Sequence, residues 1–247
     1  MSTPAIVMPE TGLHNRDLAA ATVRLAKGQG YRDLSTVWVC PTRGGRSLPS
    51  RAVGSWIGLI RPMNQQVVGP LFLEGMEVGE AYNAVVSMVL ANPTLAKFRY
   101  LLTVEDDNLP PPDGLLKLYE AIEGQVDGQK YDAVGGLYWT KGEGGQPMIY
   151  GDPNDLPLNF RPQIPRLDTV QRANGLGMGF NLFRLAMFKK LDPPWFKTLQ
   201  EYTPGVGAAL MTQDLYFYQR AGAAGYRFAC DTRVKVGHLD AETGMVW

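Results

Sequence analysis

The sequence predicts an α/β fold, a largely parallel sheet with helices on both faces. Two observations carry this. Short apolar runs alternate with segments of helical spacing over roughly the first 140 residues, the pattern that lays parallel strands side by side through crossover helices. One of those runs, Tyr100 to Val104, ends abruptly in the acids Glu105, Asp106 and Asp107; Pro110, Pro111 and Pro112 follow, then an amphipathic stretch from Asp113. A buried strand that delivers carboxylates to its C-terminal end and hands over to a helix reads this way.

Taken in order, Asn15 to Lys27 carries Leu18, Ala21 and Leu25 at helical spacing and is closed by Gly28 and Gly30. Ser35 to Cys40 reads as the first strand, leading into the loop Pro41-Thr-Arg-Gly-Gly-Arg46. A helix over Ser50 to Ile60, a strand over Gln66 to Leu73 and a helix over Val78 to Leu90 follow. After the acidic strand come a helix at Leu115 to Ile122 and a strand at Tyr131 to Trp139. Lys141 to Arg166 is rich in Gly, Pro and Asn and reads as a long loop of the functional or mobile kind. Val170 to Phe183 contains a run of glycines, Arg184 to Leu191 a short helix stopped by Asp192-Pro-Pro194, and Thr212 to Ala223 a helix closed by Gly225. Tyr226 to Cys230 and Arg233 to Val236 read as strands. With no repeat or linker, residues 1–247 are expected to form one domain, with a nucleotide-binding half over about 35–140 and an acceptor-facing, catalytic half over about 141–247.

Bulk properties narrow the class. Charged residues make up 19% and hydrophobic residues 45%, which excludes a disordered chain. Formal net charge is zero, so no basic balance advertises nucleic acid. Cys40 and Cys230 sit far apart within apolar strand-like runs, so reduced, buried thiols are expected rather than a disulfide. No segment reaches the roughly 18 apolar residues of a membrane span, and Met1 to Met8 lacks the charged start and apolar core of a signal peptide. A cytoplasmic protein is the expectation.

The acid triplet carries the chemistry. Three like charges at a strand tip are costly without a cation, and hard cations take carboxylate oxygens. In open α/β sheets, ligands bind beyond the carboxyl ends of the strands. The triplet therefore suggests a metal-assisted site for a phosphate-bearing ligand. Its ordinary alternative is a solvated turn that caps the next helix.

Thr103-Val-Glu-Asp-Asp-Asn-Leu-Pro-Pro111, Asn174-Gly-Leu-Gly-Met-Gly-Phe-Asn-Leu-Phe183, Gln213-Asp-Leu-Tyr-Phe217, Ala224-Gly-Tyr-Arg-Phe228 and Val236-Gly-His238 follow one another over about residues 35 to 240. In this order they resemble the family 2 type of GT-A fold glycosyltransferase. The resemblance implies a Rossmann-like, mixed but mainly parallel sheet flanked by helices. It also implies a metal-dependent, inverting transfer of a sugar from a nucleotide-sugar donor, a UDP-sugar first, to an acceptor hydroxyl. The cofactor would be a divalent metal, manganese before magnesium.

Residue by residue, the resemblance assigns Asp107 and the late His238 to the metal, with Asp106 and Glu105 against the donor. Glu105 departs from the Asp that many relatives carry. Asp214, in Gln213-Asp214, matches the general base; a first-turn acid at the positive end of a helix, with Thr212 as N-cap, is its ordinary alternative. A satisfied histidine in a turn is the alternative for His238, one of two histidines in the chain. Thr42 and Arg43 fall where the family holds base and ribose, with Arg46 near the phosphates; a surface loop with solvated arginines is the alternative. Asn83 falls where an Arg-Asn pair faces the donor, with Tyr82 in place of the Arg. Gly177 lies in the segment beside the donor sugar, or in a close-packed strand pairing. Trp139, and Trp195 on the acceptor side, offer sugar-stacking faces or are core. Lys141 begins a Gly-rich lid and is within reach of the diphosphate.

The competing functions are a catalytically degenerate GT-A domain that binds a nucleotide or glycan, and a sugar nucleotidyltransferase, which Thr42-Arg-Gly-Gly-Arg46 partly echoes. The acceptor stays open among a glycan, a protein, a small molecule and a modified nucleic-acid base.

Overall fold

The computed structural model describes residues 33–42, 47–203 and 207–247. The predicted helix over Asn15 to Lys27 and the loop residues Arg43, Gly44, Gly45 and Arg46 lie outside the described residues.

A seven-stranded mixed sheet organises the molecule, in the order β2-β1-β3-β9-β5-β12-β7. Its strands are β1 (Thr36–Thr42), β2 (Val67–Glu74), β3 (Tyr100–Val104), β5 (Ala133–Leu137), β7 (Val170–Ala173), β9 (Phe180–Arg184) and β12 (Phe228–Lys235). β1 runs parallel to β2 and β3. β9 is antiparallel to both β3 and β5, so those two run the same way. β12 is parallel to β5, and β7 antiparallel to β12. The carboxyl ends of β2, β1, β3, β5 and β12 therefore share one rim, and the start of β9 meets the end of β3 there, with Phe180 opposite Val104.

Strand alternation builds the two faces of the core. Val37 and Val39 of β1 pack with Tyr82, Val85, Val86 and Val89 of α2 (Val78–Ala91) and with Phe217 and Tyr218 of α5 (Gln213–Ala223). Trp38 and Cys40 face the other way, against Ala52 and Trp56 of α1 (Ser50–Ile57) and Leu115, Leu118 and Tyr119 of α3 (Gly114–Ile122). Helices on both faces follow from a strand buried on both faces.

Several elements depart from expectation. α1 stops at Ile57, since Gly58 and Leu59 close the turn back onto Gly54 and Trp56. The strand expected from Tyr131 to Trp139 is the shorter β5. The short helix after β9, α4, is only Leu185–Phe188. The glycine run resolves into β7, β8 (Gly175–Leu176) and β9, and β8 pairs with β6 (Ile149–Tyr150) inside the long loop. The two late strands are one, β12. A hairpin of β10 (Leu199–Thr203) and β11 (Gly207–Met211) precedes α5 without a clear sequence signal. Two short strands, β4 (Asn108–Leu109) and β13 (Gly237–His238), pair antiparallel beyond the rim. Among the described residues no helix is long and apolar enough to cross a membrane.

Candidate active site at the carboxyl rim of the sheet

The acids leave β3 at the shared rim. The Glu105 amide donates to the carbonyl of Gly179 at 3.1 Å, so the turn is stitched to the residues before β9. β4 then places Asn108 opposite His238. The Leu239 amide donates to the Asp107 carbonyl at 2.7 Å. Two residues separated by most of the chain are brought together in this way: His238 Nε2 lies 3.5 Å from Asp107 Oδ2.

The ring of His238 is fixed from behind. Its Nδ1 lies 2.7 Å from the carbonyl oxygen of Trp139. A carbonyl only accepts, so Nδ1 carries a proton, and Nε2 is the ring nitrogen turned toward Asp107. The buried Tyr138 ring meets the imidazole edge-on at 5.4 Å, and the Tyr138 hydroxyl accepts from the Gly179 amide at 2.9 Å. Trp139 thus serves the site through its backbone carbonyl, while its ring packs partly against the core.

Lys141 follows two residues later, and its ammonium sits 2.5 Å from Asp107 Oδ2. Burial would push the Asp107 carboxyl up, but the contacts from His238 and Lys141 outweigh it and hold that carboxyl below its usual range. The donors suit a divalent cation: a carboxylate, and an imidazole with Nε2 turned toward it. Among the described residues no cluster of three or more His, Cys, Asp or Glu side chains forms a complete protein cage. An ion held here by Asp107 and His238 would take its other ligands from a bound molecule, as magnesium-like cations do with phosphates.

A cleft runs along the triplet, lined by Pro41, Thr42, Met76, Val78, Glu105, Asp106 and Asp107. The Thr42 hydroxyl is buried there with no hydrogen-bond partner among the described residues. A second cleft opens on the other side of Asp106 and Asp107, bordered by Lys141, Asp240 and Glu242. Another cleft, beside Arg172, Tyr226 and Phe228 at the start of β12, is lined by no acid. Glu105 points inward. Burial, then the charges of Asp107 and Asp214, push its carboxyl up to about 8, and Tyr82 Oη donates to Glu105 Oε1 at 3.4 Å. Tyr82, standing where an arginine was expected, is therefore the partner of Glu105.

Asp214 opens α5 and is buried. Thr212 is the N-cap, yet its side chain makes no capping bond. Its hydroxyl donates instead to Asp214 Oδ1 in a very short hydrogen bond, and the Leu215 amide donates to the same oxygen at 2.9 Å. Burial raises the Asp214 carboxyl above its usual range, against these two donors and its own backbone amide. Its charge reaches Glu105 and Tyr138, which puts it on the same rim as the triplet.

Two residues read as donor contacts have other work. The Asn83 Oδ1 accepts from the amides of Trp195 and Phe196 at 2.9 and 3.1 Å, and its Nδ2 donates to the Phe196 carbonyl at 2.6 Å. Its amide is consumed by the segment before β10. Gly177 is buried under Tyr138, whose hydroxyl a Cβ would strike, so close packing requires a glycine there. Trp195 is core too: it stacks edge-on with Phe188, and its indole N–H donates to the Phe188 and Leu191 carbonyls. Arg43 lies outside the described residues. Sequence reasoning missed Tyr138 and Asn108. Asn108 is fully buried beside Asp107, and its side-chain amide has no partner among the described residues. No local pattern marks either, because both act through neighbours that are distant in sequence.

No protein-family model matches the chain, and no curated protein matches it. Solved structures do. A197 from STIV superposes over 86% of this chain and 92% of its own, with a TM-score of 0.56 and 17% identity. GalNAc-T7, solved with UDP, GalNAc and Mn2+, superposes over 96% of this chain and 54% of its own, with a TM-score of 0.53 and 12% identity. The chain thus spans about half the length of that protein. The 1–349 segment of S. aureus TarS aligns more loosely, with a TM-score of 0.43, 12% identity, and coverage of 79% of this chain and 57% of its own. At such identities the likeness is one of fold, and the fold is GT-A.

Proposed function

We propose that the chain is a glycosyltransferase that moves a sugar from a nucleotide-sugar donor to an acceptor hydroxyl with inversion, assisted by a divalent cation. The observation that carries this reading is the convergence of Asp107, His238 and the buried Asp214 on one rim of the sheet. Asp107 and His238 would hold the cation, manganese first and magnesium second, which would supply Lewis-acid stabilisation to a departing diphosphate. Thr42 and Asp106, on the lining of the first cleft, would meet the nucleoside, and Glu105 the ribose edge. GalNAc-T7, of the same fold, was solved with UDP and Mn2+, so a UDP-sugar is the first donor to test. Asp214 would take the acceptor proton as general base. In-line displacement by a single base on the face opposite the diphosphate inverts the anomeric centre. In this reading residues 35–140 hold the nucleotide and 141–247 supply base, imidazole and acceptor surface, within one domain.

Calorimetry of uridine diphosphate with and without manganese tests it. Asp107→Ala is expected to remove the manganese-dependent part of the affinity; manganese-dependent affinity equal to wild type sinks the cation site. Incubation with nucleotide sugars and manganese is expected to release nucleoside diphosphate slowly. Pyrophosphate formed from a nucleoside triphosphate and a sugar phosphate would instead identify a nucleotidyltransferase, and binding without any turnover a degenerate domain.

A further inference from the structure

We infer that Lys141 is a tethered competitor for the cation position at Asp107, so that metal and nucleotide diphosphate bind the protein cooperatively. The inference rests on the site reading above and adds a control that the site's ligands alone do not contain.

Three observations carry it. First, one carboxylate oxygen is claimed twice: Asp107 Oδ2 lies 2.5 Å from Lys141 Nζ and 3.5 Å from His238 Nε2. A cation shared by that oxygen and the imidazole would lie against the ammonium, and like charges at such a distance repel strongly. The two occupants therefore exclude each other.

Second, the lysine rides on a compact loop that is built into the site. The Thr140 amide donates to the Gln146 carbonyl at 2.9 Å, the Gln146 amide to Thr140 Oγ1 at 2.9 Å, and the Gly145 amide to the Gly142 carbonyl at 3.2 Å. Gly142 and Gly144 hold positive φ of 97° and 73°, backbone that L side chains rarely adopt. Trp139 pairs with Pro147 across the loop base, and its carbonyl holds the His238 ring. One short segment thus aims the imidazole at Asp107 and presents the competitor to it.

Third, the lysine has somewhere to go. The ammonium shares its cleft with Asp106, Asp240 and Glu242, and its charge reaches Asp240. With both groups of the Lys141–Asp107 pair partly exposed to solvent, the pair is exchangeable rather than locked. A cation arriving with a diphosphate takes Asp107, and the displaced ammonium gains the diphosphate charge as its new partner. A cation arriving alone must displace the lysine without that gain. Metal alone therefore binds weakly, and the diphosphate tightens it; by linkage the metal tightens the diphosphate by the same factor.

The test is manganese titration of the full chain by calorimetry, with and without saturating uridine diphosphate, in wild type, Lys141→Met, Lys141→Arg and Asp107→Asn. A melting curve on each variant confirms that it is folded. Lys141→Met is expected to bind manganese alone about fivefold to tenfold more tightly, the effect of removing one like charge at contact range from a partly exposed site. Its enhancement by uridine diphosphate is expected to shrink, and Lys141→Arg to behave like wild type. A merely structural lysine would leave manganese binding weaker or unchanged when removed. Unchanged or weaker binding in Lys141→Met, with Asp107→Asn still abolishing it, overturns the competition and leaves the site reading standing. Manganese binding insensitive to Asp107→Asn overturns both.

Discussion

Asp214 takes two hydrogen bonds on Oδ1. Thr212 and Leu215 both donate to Oδ1, and neither reaches Oδ2. The N-cap threonine gives up the backbone cap its type usually makes and orients the acid instead. A carboxylate oriented in this way suits a positioned proton acceptor. The sign of its pH dependence follows. A base works only as the carboxylate, and burial raises the Asp214 carboxyl above the usual range. Activity is therefore lost as pH falls through that raised value, at a higher pH than a free aspartate would impose. Thr212 favours the charged form, so Thr212→Val is expected to move the acid limb of kcat/KM higher still. Asp214→Asn is expected to keep donor affinity in calorimetry while lowering kcat by about 10² to 10⁴, the usual share of a general base; near-normal turnover would rule the role out. At this scale the order of motifs in the chain was enough to single out Asp107, Asp214 and His238 as candidates. The partner of Glu105 was not, because Tyr82 reaches it across the fold from α2.

Among the elements, α2 does more than cover the sheet. Its Asn83 clamps the backbone of Trp195 and Phe196 with three hydrogen bonds, and Tyr82, one residue earlier, packs on Phe196 at 5.1 Å. The segment leading to β10 and β11 is thereby tied to the helix whose tyrosine faces Glu105. Asn83→Ala strands two backbone amides and a carbonyl, and is expected to cost about 2 kcal/mol or more in chemical denaturation. A change within a few tenths of a kcal/mol would mean that water replaces the clamp without cost. The helices and parallel strands of the first half were legible because each repeats a period of its own, as Val78, Tyr82, Val85, Val86 and Val89 do. The second half was less so. Gly135 lies against Asn181, Gly177 against Tyr138 and Gly179 against Asn108, so backbone packs where side chains would signal. β4 and β13 are two residues each and exist only through their pairing.

For the molecule as a whole, β9 is the decisive insertion. Running antiparallel between β3 and β5, it joins the β2-β1-β3 and β5-β12-β7 parts into one sheet and sets the glycine run against the acid triplet. The two thiols probe that unity. Cys40 and Cys230 are free, buried, and packed on opposite faces of the sheet; burial pushes both thiols far up, with the nearby acids adding to it at Cys40. Both are therefore expected to resist a thiol reagent in the native protein near pH 8 and to react together, at a common rate set by global unfolding. Fast labelling of one alone would show that one face of the core opens by itself. The sequence by itself determined the alternation of strands and helices, the acids at a strand end and an acid at a helix start, since each is written in neighbouring residues. Only the tertiary structure decided that Asp107 meets His238 and Lys141, that Tyr82 serves Glu105, that Asn83 clamps the Trp195–Phe196 backbone, and that Gly177 packs under Tyr138. Those contacts join residues far apart in the chain, and periodicity carries no information about which distant side chains a closed sheet rim brings within hydrogen-bond reach.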